Sequence, residues 1–378
     1  MIYLDHAATT PLPEAVADTM YDVLRHQFGN PSAQYPLGRE AKELVEEARR
    51  TIAGALGCQP SALHFTSCGT ESDNWAIRAA AWQGRHTGRH IITTAVEHSA
   101  VLEPCRQLEQ EGYEVTYLKP DRTGHISAGQ VAEALREDTV LVSVMLVNNE
   151  TGAIQPVKEA GQVLRRCRSQ ALLHTDAIQG FLKIPFTPKA LGVDLLTVSG
   201  HKIGAMKGSG ALYLRAGLRA VPLLRGGGQE KGLRSGTEPT PQIAALAAAC
   251  TLGKAALEDH QTYLTHLKTY ALAAFQKAVP GLVVVAAGDA PHICAISLPG
   301  YPSQVVVRWL SDQGFCLSAG SACHRGQASH VYAAMGLSKP VRDGMLRVSF
   351  GPENTQEEVD RLAQALGTAT QVLLPAGR

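Results

Sequence analysis

The sequence has almost no charge imbalance: over 378 residues, 35 Lys and Arg stand against 34 Asp and Glu, a net charge of +1. Without a basic excess it offers no electrostatic footprint for nucleic acid, whose phosphates need clustered Lys and Arg. Long hydrophobic runs are missing as well. The longest small-apolar stretch, Ile243 to Gly253, falls far short of the roughly 20 residues needed to cross a bilayer. It predicts a buried, Ala-rich helix instead. The opening, Met1-Ile2-Tyr3-Leu4-Asp5-His6, lacks the positive start and apolar core of a secretory signal. No C-x-x-C pair occurs among the eight cysteines, at positions 58, 68, 105, 167, 250, 294, 316 and 323. Such scattered spacing suggests neither a disulfide framework nor a zinc site, and it fits a reducing cytoplasm. Internal repeats and low-complexity tracts are also absent.

What the chain does have is apolar bulk. At 45% hydrophobic residues it can bury a substantial core and more than one domain. Short apolar runs alternate with helical patterns from about residue 40 to 215. The expected strands are Leu63–Thr66, His90–Ala95, Glu114–Leu118, Val140–Val147, Ala171–Asp176, Asp194–Val198 and Ala211–Leu214. Val140 to Val147 is apolar on both faces, as a strand is when helices cover both sides of a parallel sheet. The fold class expected is therefore α/β, with a large domain around a mostly parallel, seven-stranded sheet. Beyond about residue 255 the order changes. Helical stretches at Leu257–Ala278, Gln304–Asp312 and Thr355–Leu373 frame short strands at Leu282–Ala286, Cys294–Leu298 and Leu346–Phe350. That pattern predicts a small α+β C-terminal domain. The boundaries expected are 15–255 for the large domain, with 1–14 and 256–378 forming the small one.

In an open α/β sheet, ligands sit at the carboxyl ends of the strands, and three strand ends here carry polar clusters. Ser67-Cys68-Gly69-Thr70-Glu71-Ser72 leads into a helix, where free backbone N–H groups suit a phosphate; an ordinary helix cap would look the same. Asp176 ends an apolar run and needs a cationic partner such as a protonated pyridine nitrogen, unless it simply caps the next helix. Lys202 follows a third apolar strand, in Ser199-Gly200-His201-Lys202. A lysine in a cleft can form a Schiff base with an aldehyde cofactor, whereas a turn lysine in solvent would do nothing of the kind. Anchor, pyridinium partner and Schiff-base lysine together are what pyridoxal 5′-phosphate requires.

Read in order, the motifs resemble those of the cysteine desulfurases in the class V aminotransferase superfamily. The likeness covers nearly the whole chain. It begins at Tyr3-Leu4-Asp5-His6-Ala7-Ala8-Thr9-Thr10-Pro11 and runs through Phe28-Gly29-Asn30-Pro31-Ser32, Thr70-Glu71-Ser72, Glu97-His98-Ser99 and Asn148-Asn149-Glu150-Thr151-Gly152. It continues through Ser199-Gly200-His201-Lys202, Gly226-Gly227-Gly228-Gln229-Glu230 and Arg234-Ser235-Gly236-Thr237 to Ser318-Ala319-Gly320-Ser321-Ala322-Cys323 and Arg347. The resemblance implies a type I, PLP-dependent aminotransferase-like fold and a set of roles. Lys202 would carry the cofactor, Asp176 would pair with its ring nitrogen, Gln179 would contact its ring hydroxyl, and His98 would stack on the ring and move protons. Gly69, Thr70, Ser199 and His201 would hold the phosphate, with Thr237 contributed by the other subunit of a homodimer. Asn149 and Arg347 would grip the substrate carboxylate, Arg347 through its two-pronged guanidinium.

Cys323 lies where an apolar strand gives way to small, polar chain, and His324 and Arg325 beside it favour the thiolate. The resemblance makes it the nucleophile that takes sulfur from L-cysteine as a persulfide, for delivery to an acceptor such as an iron–sulfur scaffold. A transaminase would share Lys202, Asp176 and Arg347 without needing Cys323. A selenocysteine lyase could use the same site, and a partner-binding scaffold would need neither Lys202 nor Cys323. Two departures from the family pattern stand out. Tyr35 occupies a place where the family usually has His, and the stretch from Cys323 to Arg347 is a few residues short.

Overall fold

A computed structural model describes residues 1–319 and 329–375; Cys323 lies outside them. The chain opens on strand β1 (Ile2–Tyr3). The strands of the large sheet follow: β2 (Leu63–Thr66), β3 (His90–Thr94), β4 (Glu114–Leu118), β5 (Thr139–Ser143), β6 (Leu172–Asp176), β7 (Leu195–Ser199) and β8 (Gly210–Leu214). Beyond them come β9 (Val283–Ala286), β10 (Ile293–Ser297), β11 (Phe315–Cys316) and β12 (Met345–Ser349).

The large sheet has seven strands in the order β2-β8-β7-β6-β5-β3-β4. All neighbours are parallel except β8, which is antiparallel to both β2 and β7. This single reversal leaves β2 pointing the same way as β7. The C-terminal ends of β2, β3, β5, β6 and β7 therefore share one edge. Strands β3, β5, β6 and β7 are buried along their whole length, which explains why their sequences read as continuous apolar runs rather than alternating ones. The expected α/β class and mostly parallel seven-stranded sheet are present. The run expected as one strand from Val140 to Val147 stops pairing as a regular ladder at Ser143. Val144 and Leu146 still donate N–H bonds to the carbonyls of His174 and Asp176, at 3.1 and 2.8 Å. The chain then turns at Asn148.

Helices pack both faces of this sheet. Helix Pro36–Leu56 buries Ala41, Val45, Ala48, Ile52 and Leu56, a three-to-four spacing that makes one apolar stripe; Pro36 starts it, and Gly57 at φ +76° ends it. The Ala-rich segment expected as a buried helix lies within Thr240–Ala255, with Ile243, Ala245, Leu246, Ala249 and Cys250 buried, and it packs on helix Pro36–Leu56.

Beyond residue 255 a second core forms around β12-β10-β9, whose neighbours are antiparallel. It is filled by Phe275, Leu310 and Leu362 from the three helices expected there, and by Phe350 just after β12. Thr355 caps the last helix, Gln356–Val372, in a reciprocal capping box with Glu358. The N-terminus joins this second core. Strand β1 pairs in parallel with β11, and Ile2 and Leu4 are buried in it, a pairing too short to be seen in the sequence.

A buried ion pair fastens the loop that ends at Thr237. The guanidinium of Arg49 bonds both carboxylate oxygens of Glu230, at 2.8 and 2.7 Å, and donates to the carbonyl of Leu63 at 2.9 Å. Glu230 also accepts the N–H of Phe65 at 3.0 Å, so one pair locks helix, sheet and loop together. It holds Glu230 and Lys231 at φ +50° and +59°, backbone that side chains other than Gly seldom adopt. Burial lowers the pKa of the neighbouring His64 to about 4, against the pull of Glu230, so that imidazole stays neutral beside the pair. Arg49→Ala leaves a buried carboxylate without its partner and is expected to cost about 3–5 kcal/mol. Urea denaturation should show it, and Arg49→Ala/Glu230→Gln should recover a large part of the loss.

Candidate active site

One cavity of about 290 Å³ opens at the shared edge of the sheet, and it is lined by Lys202, His98, Gly69, Thr70, Asn149, Asp176, Gln179, Ser199, His201 and Arg347. Every residue expected from sequence to hold cofactor or substrate is thus brought together, except two. Thr237 is exposed and does not line the cavity of its own chain, and Cys323 lies outside the described residues.

One wall of the cavity is built by the turn after β2. Helix Gly69–Gly84 starts there, and Cys68 at its N-cap makes no side-chain cap bond, so the first-turn N–H groups face the cavity with no protein acceptor supplied by the cap. Glu71, in the first turn of the helix, folds back to accept the N–H of Ser67 at 2.8 Å and pairs with Arg234 at 2.8 Å. Gly69 is required by space, because a Cβ there would stand 2.2 Å from Cδ1 of Ile178. Ser199 adds a hydroxyl that is buried with no hydrogen-bond partner among the described residues. His201 is bonded to the Thr9 hydroxyl at 3.3 Å; burial, then the nearby Lys202, lowers its pKa to about 4. It is therefore a neutral hydrogen-bonding group at pH 7.

At the opposite end of the ring site, Asp176 closes strand β6. Burial raises its pKa to about 6, against the Ile178 N–H that it accepts at 2.9 Å and the charge of Lys202. Behind it Asp73 is fully buried, and burial, then the charge of Asp176, raises its pKa well above the usual range. His174 lies 3.5 Å from Asp73; its ring nitrogens meet the hydroxyls of Ser143 at 2.8 Å and Thr197 at 3.2 Å. A carboxylate so placed is short of a cation, and a pyridinium N–H supplies one.

Lys202 follows β7 on a short 3-10 turn, and its Nζ donates to the carbonyls of Ala7 at 2.6 Å and Ala8 at 2.7 Å. Gln179 donates to the same Ala7 carbonyl at 2.9 Å. His98 caps the helix Ser99–Gln110 with Nδ1, which accepts the N–H of Ala100 at 3.1 Å. The neutral ring therefore carries its proton on Nε2.

A further wall of the cavity is formed by Arg347 and the Asn148–Gly152 turn. The side-chain oxygen of Asn148 accepts the N–H groups of Glu150 and Thr151, at 3.0 and 2.9 Å, and its amide donates to the Val96 carbonyl at 2.9 Å. This fixes where Asn149 stands. Arg347, on β12, donates to the Asn149 carbonyl at 2.9 Å and pairs with Asp5 at 2.7 Å, while its buried Nε has no partner among the described residues. A guanidinium with an uncommitted edge suits a carboxylate.

No role for Glu97, Glu150 or His330 was read from the sequence. Burial raises the pKa of Glu97 to about 8 and that of Glu150 to about 7. Glu150 and His330 line the cavity; their signal was faint, since His330 reads as the first residue of a short helix capped by Ser329.

An uncapped helix start, an orphan serine hydroxyl, a buried acid short of a cation and a lysine at the strand end fit pyridoxal phosphate. The comparisons with known proteins agree. The family described as aminotransferase class-V matches residues 2–362, and the chain belongs to this family, whose members that are cysteine desulfurases use pyridoxal phosphate. Among particular relatives, the chain is similar to the cysteine desulfurase IscS of Methanosarcina thermophila, at 38% identity over 98% of this chain and 92% of that protein. The solved structure of a NifS-like protein superimposes with a TM-score of 0.93 at 34% identity, covering 98% of this chain and 100% of that one. The structure of SspA in complex with cysteine gives a TM-score of 0.80 at 35% identity, covering 94% and 100%.

Asp176 yields a prediction with two opposed signs. An acid whose pKa rises on folding penalises the folded state wherever it must ionise: the penalty is absent below about pH 4 and full above about pH 6. Asp176→Asn keeps the acceptor for Ile178 N–H and removes that charge. The cofactor-free variant should melt roughly 2 °C or more above the cofactor-free parent at pH 8, with the gap closing towards pH 4. Its affinity for pyridoxal phosphate should fall about tenfold or more, as expected when a charge-assisted bond is lost. Scanning calorimetry and cofactor titration read the two effects separately.

Proposed function

We propose that this protein is a cysteine desulfurase: it removes sulfur from L-cysteine, releases L-alanine, and passes the sulfur through a persulfide on Cys323 to an acceptor. The observation that carries this reading is the convergence of Lys202, Asp176, His98 and Arg347 on one cavity, in a chain whose relatives over nearly its full length are named cysteine desulfurases. A transaminase would be served by the same four residues, but those relatives do not favour it.

In this reading Lys202 would hold the aldehyde of the cofactor, Asp176 would pair with the ring nitrogen, Gln179 would contact the ring hydroxyl, and the helix start with Thr70, Ser199 and His201 would hold the phosphate. Bound there, pyridoxal phosphate supplies an electron sink for negative charge at the substrate Cα. Arg347 and Asn149 fix the substrate carboxylate. The freed amine of Lys202 takes the Cα proton. His98 Nδ1 is already engaged by the Ala100 N–H, so protonating it there would break a helix cap, and this favours Lys202 over His98 as the base. His98 instead offers its Nε2–H as a donor. Cys323 Sγ forms the S–S bond as the substrate Cβ–Sγ bond breaks; the electron pair of that bond stays with the carbon skeleton, which leaves as L-alanine after protonation.

The finer parts of the reading are the setting and the partners. We place residues 15–255 in a cofactor-binding domain, and 1–14 with 256–378 in a smaller one. The exposure of Thr237, on a loop clamped by Arg49 and Glu230, supports its reaching the phosphate site of a second copy in a homodimer. Iron–sulfur or another thio-cofactor assembly is the proposed destination of the sulfur, in the cytoplasm. No helix among the described residues is long and apolar enough to cross a membrane.

Lys202→Ala is expected to abolish the borohydride-reducible cofactor link, read by absorption and mass spectrometry. Cys323→Ser should keep that link and still bind L-cysteine, yet lose sulfide release. ³⁵S from labelled cysteine should map to Cys323 in the parent; label on Cys316 or Cys68 would show the nucleophile to be misassigned.

A further inference from the structure

His292 is a buried imidazole that no step of the reaction uses. It stands just before β10 in the small sheet, where its backbone carbonyl accepts the N–H of Phe350 at 2.9 Å. Its Nδ1 has no hydrogen-bond partner among the described residues, and its Nε2 lies 3.5 Å from the side-chain oxygen of Gln179. A buried polar ring costs stability unless it is bonded. Among the described residues, Gln179 is the one partner this ring has.

The far end of Gln179 fixes which atoms meet. Its amide nitrogen donates to the Ala7 carbonyl at 2.9 Å, so its oxygen is the atom turned to His292. An amide oxygen only accepts, which puts the ring proton on Nε2. Burial first, then the cations Lys183 and Lys268, lower the pKa of His292 well below its ordinary value, so the ring is neutral and this is its single N–H. Lys202 Nζ donates to the same Ala7 oxygen at 2.6 Å. Two donors on one oxygen stand side by side, so the Gln179 amide nitrogen is next to the amine of Lys202, and both residues line the cavity.

We propose that His292 is a positioning residue for the cofactor: its Nε2–H holds the amide oxygen of Gln179 and so keeps the amide nitrogen on the ring hydroxyl beside Lys202. The inference rests on the reading in which Gln179 contacts that hydroxyl, and deepens it. In pyridoxal phosphate the hydroxyl is on the carbon next to the one bearing the aldehyde, so a cofactor held by Lys202 would bring it close to the lysine amine. At 3.5 Å the bond from His292 is long, and its effect is one of orientation. With Ala7 on one end of the amide and His292 on the other, the side chain is held at both.

The test follows the absorption of the cofactor-loaded protein against pH, without substrate. A donor on the ring hydroxyl draws off negative charge that would otherwise hold the proton on the nitrogen joining lysine to cofactor. It therefore lowers the pH at which that proton leaves and the absorption changes. His292→Leu fills the space without a donor and should raise this midpoint by about half a pH unit to one unit, the worth of one hydrogen bond. His292→Gln, whose amide N–H reaches the position of Nε2, should keep the parental midpoint. Gln179→Leu should raise it at least as far, and adding His292→Leu to that variant should move it no further. A His292→Leu midpoint equal to the parent's, a Gln variant displaced as far as Leu, or shifts that add in the double variant would each overturn the inference. Should the Leu protein not fold, His292→Met takes its place with the same expectation. A Gln179→Leu midpoint that stays at the parental value would strike down the contact of Gln179 with the ring hydroxyl, and the inference with it.

Discussion

The carbonyl oxygens of Ala7 and Ala8 are the point on which the site turns. Lys202 Nζ donates to both, and Gln179 donates to the first. Two residues earlier Asp5 receives Arg347, and two residues later Thr10 receives the N–H of Gly204 while giving its own N–H to the His201 carbonyl. Ala7 N–H is taken by Ser349 of β12. A few residues of irregular chain thus tie the strand ends of the large sheet to the small one. The orientations of Lys202, Gln179 and Arg347 are all set from this one segment.

Around that segment the protein tolerates charge where apolar packing would be more stable. Asp73, Glu97, Glu150 and Asp176 are all buried, and the pKa of each is raised first of all by burial. The contrast with Arg49 and Glu230 is instructive. There a buried carboxylate meets a guanidinium through two hydrogen bonds and a backbone N–H, and the result fastens a loop. At the cavity Asp176 accepts the Ile178 N–H and has no guanidinium, and its demand for a cation is what a protonated ring nitrogen would satisfy. Instability before loading and affinity on loading are two faces of the same desolvation.

Much of this was legible in the sequence, for definite reasons. A parallel sheet buried on both faces writes itself as apolar runs, and its edge follows as polar clusters after those runs, so Gly69, Asp176 and Lys202 could be located from the sequence, whereas His98 came from the family resemblance. What escaped was pairing over long range. Strand β1 is two residues long and carries no periodicity, and the extended run to Val147 concealed the point where the ladder ends. His330 escaped because one histidine at a helix start is ordinary; only the folded chain brings it to the Glu97 carbonyl and the cavity wall.

The pairing of β1 with β11 has a temporal meaning. Ile2 aligns with Phe315, and Ala7 bonds Ser349, a separation of 342 residues. A ribosome adding roughly 5–20 residues per second needs on the order of tens of seconds to make the second half of that contact. Until then strand β1 has no partner to join and the carbonyls that receive Lys202 are not in place, although every strand of the large sheet lies within residues 63–214. The segment that orients Lys202 is thus among the last parts of the cavity to be fixed.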